Sequence, residues 1–179
     1  MDESLFVVPG SDDMYPDTDF QPPSKVAWLG TDYLGRDVLS RILFGARTTI
    51  GISLVACFLA YVVGVTLGIA AAVGTERFDM VLSRLNDAFM AIPHIMLALV
   101  VIAAIGSTVP ILILVVGFIY ATSVYRIARA LGQDVMVSDF VEAARVRGEG
   151  SWWIITREIL PNIAMPLATD FGVRFVYII

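Results

Sequence analysis

Long apolar runs alternate along this chain with short charged segments, and the length of each run predicts an element. Residues 48–73 contain no charged side chain. A helix over that run reaches roughly 39 Å at about 1.5 Å per residue, against a hydrocarbon core of about 30 Å. It predicts a tilted or overhanging membrane span. A second span is expected over residues 88–106, with Pro93 near its start, and the following "GSTVP" leaves room only for a hairpin. A third is expected over residues 109–125, where Arg126 and Arg129 return the chain to a charged surface, and a fourth from about Ile163 to the end.

Two segments have mixed character. In "WLGTDYLGRDVLSRILFGAR", residues 28–47, Leu34, Val38, Leu39, Ile42 and Leu43 recur at helical spacing behind Thr31 and Asp32. This predicts an amphipathic helix lying against the membrane. In "TERFDMVLSRLND", residues 75–87, Phe78, Val81, Leu82 and Leu85 fall on one side, predicting a short amphipathic connection. Along the first span, Ala56, Ala60, Gly64, Gly68 and Ala72 fall every fourth residue. Such a stripe lets another helix approach at backbone distance, so these five are the predicted helix-packing face.

Composition agrees with the membrane reading. Of 179 residues 58% are apolar and 16% charged, with a mean hydropathy of +0.79. A soluble domain of this length could not hide so much apolar surface. The net charge of -5 comes largely from Asp2, Glu3, Asp12, Asp13, Asp17 and Asp19, all ahead of Lys25, and argues against nucleic acid as a partner. Residues 1–27 read as an acidic extracytoplasmic arm, punctuated by Pro9, Pro16, Pro22 and Pro23, and residues 28–179 as the membrane domain. Leu5 to Val8 are too few, and lack the basic flank, to make a signal peptide. The apolar end "RFVYII" reads as an interrupted span. The single cysteine, Cys57, excludes an internal disulfide and reads as helix filler.

Arginine placement gives orientation. Residues 75–87 and 126–161 together hold seven arginines and the hairpin near Pro110 none, which places both loops in the cytoplasm by the positive-inside rule. Arg36, Arg41 and Arg47, on the other side, weaken the contrast.

The segment 134–161 is long for a connector and has internal organisation. Asp139 with Glu142 resembles a capping pair opening a helix through Arg147. Gly148 and Gly150 permit a sharp turn, Ser151 can cap a second short helix, and Pro161 is expected to end it and start the next span. Ala143 and Ala144 are small enough to enter a groove of another protein, while Trp152 and Trp153 can anchor at the headgroup level. Side-chain physics alone leaves docking and simple lipid contact as equal alternatives.

Glu142, Ala143 and Ala144, then Gly148, then Leu160 and Pro161 resemble the "EAA" loop of ATP-binding-cassette importer permeases. Independently, residues 28–47 resemble the segment ahead of the second span in the dipeptide, oligopeptide and nickel members of that family, and "AIPHIMLAL" is similar too. The resemblance implies an all-α, polytopic transmembrane bundle of the type I importer kind, incomplete at both ends. It implies that Glu142, Ala143, Ala144, Arg145, Gly148, Leu160 and Pro161 form an ATPase-coupling surface, with no catalytic residue, cofactor or metal of the chain's own. The implied partners are two cytoplasmic ABC ATPase subunits, a second homologous permease, a periplasmic or lipid-anchored substrate-binding protein, and membrane lipid. The implied location is a bacterial or archaeal cell (inner) membrane. Glu158, Arg147 and Glu149 depart from the family's usual residues, which bears on the contact surface rather than the architecture.

Ionisable groups inside spans are expected to be functional. Asp170 and Arg174, four residues apart, share a helix face and can pair, and with His94 they are the candidate pathway residues. Helix pairing remains the simpler role for the first two, and an interfacial one for His94. Two other functions compete. One is a secondary transporter driven by an ion gradient through Asp170, Arg174 and His94, which leaves the loop resemblance unexplained. The other is an intramembrane hydrolase with Ser53 or Ser123 as nucleophile and His94 as base, for which no oxyanion motif is present.

Overall fold

The computed structural model describes residues 20–25 and 27–179, so most of the expected acidic arm lies outside the described residues. The chain divides into two compact units, residues 1–51 and 52–179. The helices are α1 (Val38–Val73), α2 (Glu76–Met90), α3 (His94–Ile105), α4 (Val109–Met136), α5 (Asp139–Val146), α6 (Ser151–Ile154) and α7 (Leu160–Ile178), with a π-helical stretch, Ile155–Ile159, joining the last two. Among the described residues the one β feature is an isolated antiparallel bridge between Thr31 and Asp37.

In the first unit the expected amphipathic helix does not open at Thr31 and Asp32. Those residues belong to a tight turn. Asp32 folds its carboxylate back, Oδ1 accepting from the backbone N–H groups of Leu34 (2.8 Å) and Arg36 (3.0 Å). Oδ2 accepts from Arg36 Nε (3.1 Å) and Arg41 Nη1 (3.3 Å). An aspartate that bonds the backbone two residues on is a turn-former, which competes with capping. The cap comes five residues later, where Asp37 Oδ2 accepts from the Ser40 N–H at 3.1 Å. The backbone N–H of Arg36 is the main cause holding the Asp32 carboxyl below its ordinary value of 3.8.

The second difference is that nothing separates this helix from the first span. Proline is absent between Arg47 and Thr48 and no turn residues cluster there, so α1 runs unbroken for 36 residues, roughly 54 Å.

In the second unit α1 packs on α4 at backbone distance. Ala56 and Ala60 are fully buried. A Cβ added to Gly64 would fall 2.6 Å from Val124 Cβ, and one added to Gly68 would fall 2.7 Å from the Tyr125 carbonyl oxygen. The contact is reciprocal: on α4, Gly117 faces the Ala56 carbonyl and Gly132 faces Ala72 Cβ. Lipid offers no hydrophobic drive for helices to associate, so close van der Waals contact between small residues supplies it.

The expected second span is broken. α2 begins at its cap Thr75, whose hydroxyl accepts from Phe78 N–H at 3.4 Å, and it ends at Met90. Pro93 has no N–H and biases Ile92 away from helical angles, so the chain bends by 81° before α3 begins at His94. The 12 residues of α3 reach only about 18 Å, too short to cross alone. α1 and α4 are each long and apolar enough to cross, and α2 with α3 qualify only as a bent pair. α4 extends to Met136, so Arg126 and Arg129 lie within the helix and not in a loop. α7 has 19 residues but does not count as a crossing by length and composition, since it carries Asn162, Asp170 and Arg174.

Two predictions follow from these contacts. Gly68→Ala, placing a methyl against the backbone of Tyr125, should lower unfolding stability in mixed micelles by about 1–3 kcal/mol. Gly172→Ala, with nothing within 4 Å, should be neutral or stabilising by up to about 1 kcal/mol. Equal stability of the two variants by circular dichroism would exclude the close α1–α4 approach. For Asp32, a carboxyl lowered in the folded state stabilises its turn fully above 3.8 and progressively less as pH falls through the folded value. Protection of the Leu34 and Arg36 amides, taken relative to the free-peptide exchange rate at each pH, should therefore be greatest near neutrality and fall in acid, and Asp32→Asn should remove that change in protection.

Candidate functional site

Only Val137 and Ser138 separate the end of α4 from α5, so the segment from residue 134 to 161 is an elbow rooted on a long helix. Ser138 is the N-cap of α5, without a side-chain cap bond, and its carbonyl accepts from Val141 (3.0 Å) and Glu142 (3.2 Å). Asp139 is not the cap expected from its spacing to Glu142. Both acids lie in the first turn, where they complement the positive end of the helix dipole.

The turn is built by hydrogen bonding. Gly148 N–H donates to the Arg145 carbonyl (2.9 Å) and Glu149 N–H to the Ala144 carbonyl (3.1 Å), the two crossed bonds of a Schellman motif. Gly148 sits at φ +84°, where a side chain is strained. Gly150, at φ −80°, needs no such freedom and is itself the N-cap of α6, in place of Ser151.

Pro161 does not end a helix. The path through α6, Ile155–Ile159 and α7 is continuous, and the π-helical stretch takes up the irregularity: Leu160 N–H reaches back to the Ile155 carbonyl. Pro161, lacking an N–H, sits at the first turn of α7, and Asn162 Nδ2 donates to the Glu158 carbonyl at 2.6 Å.

The two alanines of the elbow face opposite ways. Ala144 and Val141 are completely buried in a cluster with Ile69 of α1, Ala128 of α4, and Ile159 and Ile163. Glu142, Ala143, Arg145, Val146 and Arg147 are exposed, Val146 to 84%, as are Gly148, Leu160 and Pro161. Trp152 is 76% exposed, whereas Trp153 packs against the cluster with the Arg147 guanidinium 5.7 Å from its ring centroid. That cation–π contact ties the two limbs of the elbow together.

Asp170 and Arg174 meet each other, Nε donating to Oδ2 at 2.6 Å. Tyr61 of α1, which periodicity did not single out, donates its hydroxyl to the same oxygen and meets the Phe171 ring edge-on at 5.0 Å. His94 is exposed at the first residue of α3, beside the bend. The candidate nucleophile Ser53 is buried and donates to the Ile178 carbonyl at 3.4 Å. Among the described residues no group of His, Cys, Asp and Glu could hold a metal ion.

A second charged cluster was not foreseen. Asp79 of α2 accepts a bidentate pair from Arg129 of α4, through Nε and Nη2. Gln133 Nε2 adds a bond to Oδ2 at 3.2 Å and Ser83 Oγ one to Oδ1 at 3.3 Å, while Ser83 also meets the Tyr125 hydroxyl at 2.9 Å. Deeper along the same helices lies an apolar cavity of about 180 Å³, lined by Val63, Leu67, Leu85, Phe89, Phe118 and Tyr125 among others.

The chain is similar to several known proteins. A protein of Brucella suis named as a peptide transport system permease is 40% identical over 160 residues, 89% of this chain and 54% of its own length. A dipeptide transport system permease protein of Alkalihalophilus pseudofirmus is 32% identical over 89% of this chain and 53% of its own. A glutathione transport system permease protein of Pectobacterium atrosepticum is 32% identical over 85% and 50%. The chain thus spans about half the length of these curated relatives. Residues 64–179, which carry the packing stripe from Gly64 onward and the whole elbow, match a single family description, and the chain belongs to that family, the binding-protein-dependent transport system inner membrane components.

Proposed function

We propose that this chain is the membrane-spanning part of a permease subunit in an ATP-driven importer for peptides or a related small solute, coupled through residues 134–161 to a cytoplasmic ATPase. Its companions in this reading are two ABC ATPase subunits, a second homologous permease and a periplasmic or lipid-anchored binding protein. Residues 28–179 form the permease domain and residues 1–27 an extracytoplasmic arm. The names of the relatives support the transport role.

One observation carries the coupling role: the elbow is free on one face and rooted on the other. Glu142, Ala143 and Val146 are open to a partner, while Val141 and Ala144 are held in the cluster with residues of α1, α4 and α7. A partner that displaced α5 would move these helices with it, because a packed interior shifts as a body and does not deform continuously. Exposed Glu142 is suited to a basic group on that partner, and Leu160 and Pro161 extend the surface at the start of α7.

Asp170 and Arg174, engaged with each other and with Tyr61, serve in this reading to fasten α7 to α1 rather than to bind cargo. Asp170→Ala combined with Arg174→Ala should then lower thermal stability in detergent without changing which solutes are taken up. A shift in cargo preference at unchanged stability would assign the pair to the pathway instead.

Coupling is tested in proteoliposomes holding the complete transporter. Glu142→Lys reverses the charge offered to the ATPase, and Gly148→Pro imposes φ near −65° where the turn needs +84°. Each should reduce ATP-driven uptake by about tenfold or more while the protein remains inserted, within the usual range of coupling between sites. Wild-type uptake rates in both variants would refute coupling through the elbow.

A further inference from the structure

We infer that the Asp79–Arg129 ion pair is the contact that passes displacement of the elbow on to the α2–α3 pair, making Asp79 a positioning residue for transport; this rests on the coupling role proposed for residues 134–161.

The elbow is joined covalently to α4 alone on its N-terminal side, and α4 is one unbroken helix of 28 residues. Arg129 lies seven residues, about two turns, from the end of that helix, which only Val137 and Ser138 separate from α5. Anything that tilts α5 and the end of α4 therefore moves the Arg129 guanidinium.

The guanidinium grips α2 at its first turn. A bidentate arginine–carboxylate pair fixes orientation as well as distance, and the Asp79 and Arg129 side chains are only 16% and 30% exposed. Gln133, one turn further along α4, binds the same carboxylate, and Ser83, one turn further along α2, binds both it and Tyr125. Two turns of each helix are thereby held in register by polar contacts made at a single carboxylate.

The far end of α2 is not held in the same way. The helix stops at Met90, and the break across residues 91–93 leads into α3 at 81°. Phe89 meets Phe118 edge-on at 5.0 Å, a contact that tolerates sliding better than a bidentate ion pair does. The arrangement is a lever with a grip at Asp79 and a hinge at Ala91, Ile92 and Pro93. Motion received at the elbow changes the angle between α2 and α3, and α2 lines one side of the apolar cavity with Leu85 and Phe89.

The test uses the complete transporter and reads solute taken up per ATP hydrolysed, a ratio that a uniformly destabilised protein keeps for its surviving fraction. Asp79→Asn and Arg129→Gln should each lower the ratio about tenfold. The exchange Asp79→Arg with Arg129→Asp should restore it at least in part. A second arm replaces both residues by cysteine and bridges them with a short bifunctional thiol reagent, the native Cys57 being fully buried. Bridging should raise the ratio above that of the unbridged double variant, because grip and not charge is what the lever needs. An unchanged ratio in the single variants, or arrest of uptake on bridging, would overturn the inference. Failure of the coupling reading is seen separately, as wild-type transporter whose uptake ignores ATP or whose Glu142→Lys variant transports normally.

Discussion

The close approach of α1 and α4 is the constraint on which the rest of the second unit depends. Two helices in lipid gain nothing from hiding apolar surface, since the solvent is equally apolar; they associate through contact, and contact improves as the backbones come nearer. Gly64 and Gly68 on one side and Gly117 and Gly132 on the other remove the side chains that would hold them apart. With that seam closed, α4 becomes the post against which α2, α3, α5 and α7 are all laid. Its length matters as much as its packing, because one unbroken helix of 28 residues then joins the seam with α1 to the elbow.

Charged groups in such a bundle are costly to leave without a partner. Removing one partner of a buried charge pair costs more than the pair itself contributes, because the remaining charge stays desolvated. The two charged clusters obey this rule differently. Asp170 and Arg174 lie on one helix and satisfy each other, with Tyr61 reaching in from α1. Asp79 and Arg129 lie on different helices, so their mutual satisfaction fixes α2 to α4. A pair within one helix tunes a face, and a pair between helices sets a position.

How much of this was legible in the sequence depended on the kind of signal. The stripe from Ala56 to Ala72 and the turn at Gly148 are local and periodic, and the structure places small residues against α4 and a left-handed glycine at those positions. Boundaries were harder. Asp32 looked like a cap because a cap and a turn use the same side chain, and only the chain's actual path decides which backbone N–H groups it meets. Pro93 and Pro161 have opposite outcomes, a sharp break at one and a continuous helix at the other, since a π-helical stretch ahead of Pro161 takes up the irregularity there. The Asp79–Arg129 pair is separated by 50 residues and has no pattern to announce it. The partners of Ala144 are equally invisible in one dimension.

Ala144 also explains why so short a helix holds its place. A helix of 8 residues is not stable alone in water, because nucleation is costly and few bonds repay it. α5 persists because Val141 and Ala144 are buried on one side and because the Schellman bonds and the Arg147–Trp153 contact close its end. Burying a valine side chain contributes about 1.5–3 kcal/mol, so the anchoring is modest. It is also short-ranged, since contacts at van der Waals distance weaken within an ångström of separation. A small displacement of α5 therefore either carries the cluster along or unseats the helix. The small size of Ala144 favours the first outcome, because it lets the α5 backbone sit directly against the cluster, with no long side chain to flex between them.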